Sequence, residues 1–276
     1  MPRAPRFDPT VLMSKTVFLQ RVQEAVIAGY RLYTQGTIAL EKAPGLFRKF
    51  KDLYLVHLDK NARYRRKAAS LGNARLIVRF NEDFALDFFL LVSPGEHPAH
   101  QLEKLGDIRK RPLVYKEFEL ILLTLKGRTK PGLTWRLSMD TMAAWKQRLH
   151  LYTVHYNRLE LFRAWYSLYR VPGFGGIRRQ VGELVGYWRK EWKQHRRQDP
   201  CPMAFSHNDL QYRARPGISK GDDGKFWTEK GFPSSAQLPK LFYVRKQSDI
   251  GMSLSALLRE VAAETEARDK EQKGAA

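Results

Sequence analysis

In Leu133-Thr134-Trp135-Arg136-Leu137-Ser138 every second residue is apolar. That period of two belongs to a strand with one apolar and one polar face. Two helical patterns follow at once. Ser138 stands where an N-cap belongs, ahead of Met139-Asp140-Thr141 with its acid in the first turn. Met142, Trp145, Leu149 and Tyr152 then recur three or four residues apart, residues 153–157 break the stripe, and Asn157 offers a second cap. Leu161, Phe162, Trp165, Leu168 and Tyr169 stripe the next helix. A strand followed by two amphipathic helices is the order of a ribbon-helix-helix module, in which paired strands enter the DNA major groove. On that reading Thr134, Arg136 and Ser138 face base edges. His155, Tyr156 and Asn157 then mark a helix start whose free amides attract a phosphate. Two plainer readings stay open. Apolar stripes of this kind also build ordinary cores, and a strand at Leu120–Lys126 could pair with 133–138 inside the chain as a hairpin.

Charge makes nucleic acid the first partner to consider. The 276 residues carry 49 Lys and Arg against 28 Asp and Glu, a net charge of +21, with 43% apolar and 12% aromatic residues. That composition is of a folded protein, and self-repulsion of this size is usually relieved by an anionic partner. Between Lys60 and Arg79 lie Arg63, Arg65, Arg66, Lys67 and Arg75 with no carboxylate among them, the pattern of a phosphate-facing surface. A second basic block, 178–197, carries Arg178 and Arg179 with Trp188 and Trp192 among its charges. Basic residues interleaved with aromatics also suit a groove that tracks a single strand.

Other function classes find little support. Cys201 is the lone cysteine, which leaves neither an intrachain disulfide nor a multi-cysteine metal site. None of the seven histidines joins a metal-ligand spacing, and Glu82, Asp83 and Asp87 are the one notable acidic group. The start lacks the apolar core of a signal peptide, and the longest apolar run, near 84–92, is cut by Asp87. A cytoplasmic protein is expected, with no membrane contact, no cofactor, no small-molecule substrate and no enzymatic activity.

The expected fold class is α+β, mostly helical, with the ribbon-helix-helix-like segment at 133–169 embedded in a larger domain. A flexible N-terminus (1–14) precedes a main helical domain at 15–198, a C-terminal extension at 199–267 and a disordered tail at 268–276. Within it a helix is expected over Val17–Thr34, another around Phe47, Phe50, Tyr54 and Leu58, a strand over Arg75–Phe80, and helices from Ile177 to about Gln198 and from Ser253 to about Ala267. Residues 114–126 read equally as helix or strand.

Three runs carry a resemblance: Pro172-Gly-Phe-Gly-Gly-Ile-Arg-Arg-Gln-Val181, the segment 133–138, and Leu238-Pro-Lys-Leu-Phe-Tyr-Val-Arg245. They resemble a family of proteins carried by integrating conjugative elements and conjugative plasmids, and the similarity spans most of residues 15–247. The family includes AcaB of IncC plasmids, a transcriptional activator of conjugative transfer with a remote likeness to ribbon-helix-helix proteins. The resemblance implies that Thr134, Arg136 and Ser138 are the groove-facing set and that 155–157 is the phosphate-clamping helix start. It implies nothing for the tail after Ser248.

Together these readings describe a homodimeric DNA-binding regulator, an activator of transfer genes on a mobile element, which reads double-stranded DNA with a paired β-ribbon. Arg63, Arg65, Arg66, Lys67, Arg128, Lys130, Arg178 and Arg179 join His155, Tyr156 and Asn157 as its phosphate contacts. The alternative is a single-strand-binding or scaffold protein of the transfer machinery.

Overall fold

Short strands bounded by turns, more than helices, organise the first part of the chain. A computed structural model describes residues 7–124, 127, 129–199 and 251–274. The elements run β1 (Thr10–Leu12), α1 (Lys15–Ile27), β2 (Leu32–Ala39), α2 (Ala43–Tyr54), α3 (Lys60–Ala68), β3 (Ala74–Phe80), β4 (Ala85–Val92), α4 (Ala99–Leu102) and β5 (Gly106–Asp107). They continue with β6 (Leu113–Tyr115), β7 (Phe118–Leu123), β8 (Gly132–Leu137), α5 (Met139–Val154), α6 (Arg158–Tyr169) and α7 (Gly175–His195). The last described pair is β9 (Gly251–Ser253) and α8 (Leu254–Gly274). The chain forms two units, one of Met1–Leu113 with Tyr243–Ala276 and one of Val114–Phe242.

The first unit is built on a six-stranded sheet, order β5-β2-β4-β3-β1-β9. β4, the apolar run at 85–92, lies centrally, antiparallel to both β2 and β3. Burial of a run such as Phe89, Leu90, Leu91 and Val92 on both faces explains why it reads as continuous apolar sequence. Phe47, Phe50 and Tyr54 of α2 pack with Leu86, Leu90, Val78 and Leu254 in one core. The fold therefore mixes helices and sheet, with a six-stranded sheet at the centre of this unit.

Several boundaries differ from the sequence expectation. The helix expected over 17–34 stops at Ile27, because Gly29 takes φ +101°. The Gly29 and Tyr30 amides then bond to Val26 and Ala25 carbonyls at 3.0 and 3.1 Å, a Schellman ending that favours glycine. Residues 32–39 become a strand. The N-terminus is not a flexible tail throughout: Val11 and Leu12 are buried in β1, parallel to β3. Of the C-terminal extension expected at 199–267, residues 199 and 251–267 are described. β9 pairs antiparallel with β1, and Asp8 caps α8 by accepting from the Ser255 amide at 3.0 Å and its hydroxyl at 2.5 Å. Helix α8 also runs on to Gly274, through most of the tail expected to be disordered. Within 15–198 the boundary between the two units falls at 113/114. The strand-like Leu241–Val244 lies outside the described residues.

The second unit begins with a three-stranded sheet, order β6-β7-β8. α5, α6 and α7 follow, and Trp135, Trp165 and Trp188 are fully buried among its apolar residues. Among the described residues no helix is long and apolar enough to cross a membrane.

Candidate nucleic-acid interface

Helix α3 carries the sequence KNARYRRKA, and none of its side chains is buried. Its start is fixed by Asp59, whose carboxylate accepts from the Ala62 amide at 2.7 Å. Two of its arginines anchor it: Arg63 donates to the Leu58 carbonyl at 2.8 Å, and Arg66 donates twice to the Gly72 carbonyl at 2.9 and 3.2 Å. Lys60, Arg65 and Lys67 are exposed and form no ion pair with any described residue, and Tyr64 between them is 75% exposed. A surface helix needs an apolar stripe to be held by packing. This one lacks it, so its cations do nothing for a core.

The rest of the 60–79 block behaves differently. Arg79 is buried and ion-paired with Glu82 at 2.5 Å, and its Nη1 lies 3.7 Å from Asp87. Asp87 also accepts from Thr37 at 2.7 Å and from Asn81 at 2.9 Å. Glu82 and Asp87 of the acidic group are thus engaged with Arg79, Thr37 and Asn81. Arg75 stacks on the Tyr30 ring at 5.2 Å. With Arg63, Arg21 and Glu24 it lines a hollow of about 330 Å³ in which three guanidiniums meet one carboxylate.

In the second unit the segment 133–138 is half of a hairpin. β7 pairs antiparallel with β8, Phe118 opposite Leu137 and Leu123 opposite Gly132. The outer edge of β8 is covered as well. The Leu137 amide donates to Gln180 Oε1 at 2.7 Å, and the Gln180 amide returns a bond to the Leu137 carbonyl at 2.8 Å. Gly176, at the start of α7, sits so close that a Cβ there would lie 2.5 Å from the Trp135 carbonyl oxygen. Gln180 and Gly176 thus cover the outer edge of β8 at this end, and its other edge pairs within the chain, as the hairpin reading allows.

The three expected base readers separate. Thr134 is 4% exposed, and its hydroxyl accepts from the Gly176 amide at 3.1 Å. Ser138 caps α5, as its sequence context predicts, accepting from the Thr141 amide at 3.2 Å. Arg136 keeps a partly exposed head, bonded to Glu119 opposite it at 2.9 and 3.0 Å. The polar face of the strand turns partly inward because α7 begins against it.

The expected phosphate contacts of this unit also divide. Asn157 caps α6, accepting from the Glu160 amide at 3.1 Å, and Glu160 places an acid in that first turn. Tyr156 has φ +52° and packs against Trp192, with Arg196 over its ring at 4.9 Å. His155 is exposed. At the helix start, Asn157 thus occupies one amide, that of Glu160. Arg178 bonds the Gly173 carbonyl at 3.0 Å, and burial lowers its pKa from the ordinary guanidinium value. Lys130 is exposed at the hairpin turn, while Arg128 lies outside the described residues.

Arg179 and Arg136 do come together. With Lys146 of α5 they line a groove of about 380 Å³ whose one carboxylate, Glu183, lies 3.2 Å from Arg179. Lys146 was not visible as a site residue, because a single lysine in an amphipathic helix carries no signal of its own. Trp188 and Trp192, the aromatics of the second basic block, are buried and offer no face to a base. No protein-family model, curated protein or solved structure matches the chain.

Proposed function

We propose that the protein binds nucleic acid through the phosphate backbone, with duplex DNA as its partner and α3 as the principal contact. The observation that carries this reading is α3 itself: five cations in nine residues, no buried side chain and no acid within the helix. Cations held without an internal counter-charge raise the free energy of the folded chain, and phosphates relieve it by releasing counterions. The groove of Arg136, Lys146 and Arg179 is a second anionic contact, in which Arg136 is the candidate for reading a base edge. The resemblance to conjugative-element proteins supplies the setting, activation of transfer genes.

Burial of Trp188 and Trp192 removes two stacking faces from the single-strand alternative and leaves it the exposed ring of Tyr64 on α3. Fluorescence-anisotropy titrations of the full chain with duplex and single-stranded DNA of equal length test the proposal. Tighter binding to duplex is expected. Failure to bind either form overturns the reading, and preference for the single strand replaces it with the stacking alternative.

A further inference from the structure

Two histidines and a glutamate far apart in sequence meet where α5 lies against α7. Glu191 and His195 are one turn apart on α7 and so share a face. His150 comes from α5, and its Nδ1 lies 2.5 Å from Glu191 Oε2; His195 Nε2 is 3.6 Å from the same oxygen. One donor atom from each of the three lies within 4.8 Å of the other two. The imidazole rings cross edge to face at 5.4 Å.

We infer that His150, Glu191 and His195 form a binding site for a divalent transition-metal ion, zinc fitting best. Two imidazoles and a carboxylate are a mixed nitrogen–oxygen donor set of the kind zinc takes, with a fourth position left to water. Tetrahedral bonds of ~2.0–2.1 Å put ligand atoms about 3.3 Å apart. The observed spacings bracket that value, so small side-chain rotations would seat an ion. The carboxylate is also held as a ligand needs to be. Glu191 is 14% exposed, and in a chain with 49 Lys and Arg its ion-pair partners are the two histidines. The histidines are 42% and 31% exposed, which leaves the open position facing solvent. The ion ties α5 to α7 and makes the stability of this unit depend on metal.

The experiment uses the untagged full chain, stripped with a chelator and titrated with Co²⁺ and then Zn²⁺. One equivalent of Co²⁺ should give the visible d–d absorption of a four- or five-coordinate site, and Zn²⁺ should erase it. Bound Zn²⁺ should raise the melting temperature, because only the folded unit assembles the ligands. His150→Ala, His195→Ala and Glu191→Gln should each weaken binding by at least about 100-fold. Each ligand variant should lose the zinc-induced shift while the metal-free protein keeps its far-ultraviolet circular dichroism. The site is refuted if Co²⁺ gives no such band. It is equally refuted if the band survives all three ligand variants and disappears with His97→Ala or Cys201→Ser.

Discussion

Helices α3 and α7 are both strongly basic, yet their charges have different origins. α7 has a buried stripe of Ile177, Val181, Leu184, Val185, Trp188 and Trp192. Its cations occupy the opposite face, where a long amphipathic helix needs polar residues of some kind. α3 has no such stripe. Its charges are not the by-product of a packed face, so a partner outside the fold is the simplest reason for them. Charge density alone does not mark a binding surface; charge without a packing role does.

The sharpest way to break this comparison is to remove the packing role of α7. Trp188 is fully buried, stacks on Trp165 at 5.3 Å and donates to the Thr153 hydroxyl at 2.9 Å. Trp188→Ala should cost about 3–5 kcal/mol of stability in urea denaturation. A loss below about 1 kcal/mol would mean that α7 is not held by its stripe.

The converse holds for α3. Changing Lys60, Arg65 and Lys67 together to Gln should leave stability within about 0.5 kcal/mol, as for surface positions generally. Duplex affinity at physiological salt should nonetheless fall roughly 100-fold, if each residue neutralises one phosphate. Unchanged affinity with unchanged stability would leave α3 without a role.

Gln180→Ala tests the closed edge of β8. It strands the Leu137 amide and carbonyl, at a cost of about 1–3 kcal/mol. If that edge is closed by Gln180, the variant is the form in which strand pairing between subunits appears. A paired ribbon already present in the unaltered protein would show as a dimer in analytical ultracentrifugation that Gln180→Ala does not change.

The smallest effect is a pH dependence in the first unit. Burial holds the His97 imidazole below its ordinary pKa of 6.5, with Arg66 and His100 acting in the same direction and the bond to the Tyr54 carbonyl opposing them. Its Nδ1 accepts from the Ala99 amide at 3.2 Å and its Nε2 faces the Tyr54 carbonyl at 3.2 Å, so the ring is neutral in the fold. A folded pKa below the unfolded one means that the stability is complete above about pH 6.5 and is lost as pH falls through the folded value. Denaturation midpoints between pH 7.5 and 5 measure it, and His97→Gln should flatten the slope; these pH points lie about one unit above and about 1.5 units below the ordinary histidine value.

Local signals in the sequence were legible where one residue controls one feature. Ser138 and Asn157 cap α5 and α6 as their contexts predict, and the alternation at 75–80 became β3. What stayed hidden depends on distant partners. Period-two alternation gives two faces but not which partner covers them, so the inward turn of Thr134 against Gly176 was unreadable. The closing of the first sheet by residues 251–253 on 10–12 spans most of the chain, and no local pattern records it. Of the His150–Glu191–His195 cluster, Glu191 and His195 stand four residues apart on one helix, a spacing that by itself marks no metal site. The cluster's third member comes from another helix and required the fold.

The measurement that bears most directly on the central claim is the salt dependence of duplex binding, for the unaltered chain and for the Lys60, Arg65 and Lys67 to Gln variant. Log affinity should fall linearly with log salt, and the variant should lose roughly 2–3 from the slope, about 0.9 for each phosphate contact removed. Equal slopes for the two proteins would contradict the assignment of α3 to the DNA backbone.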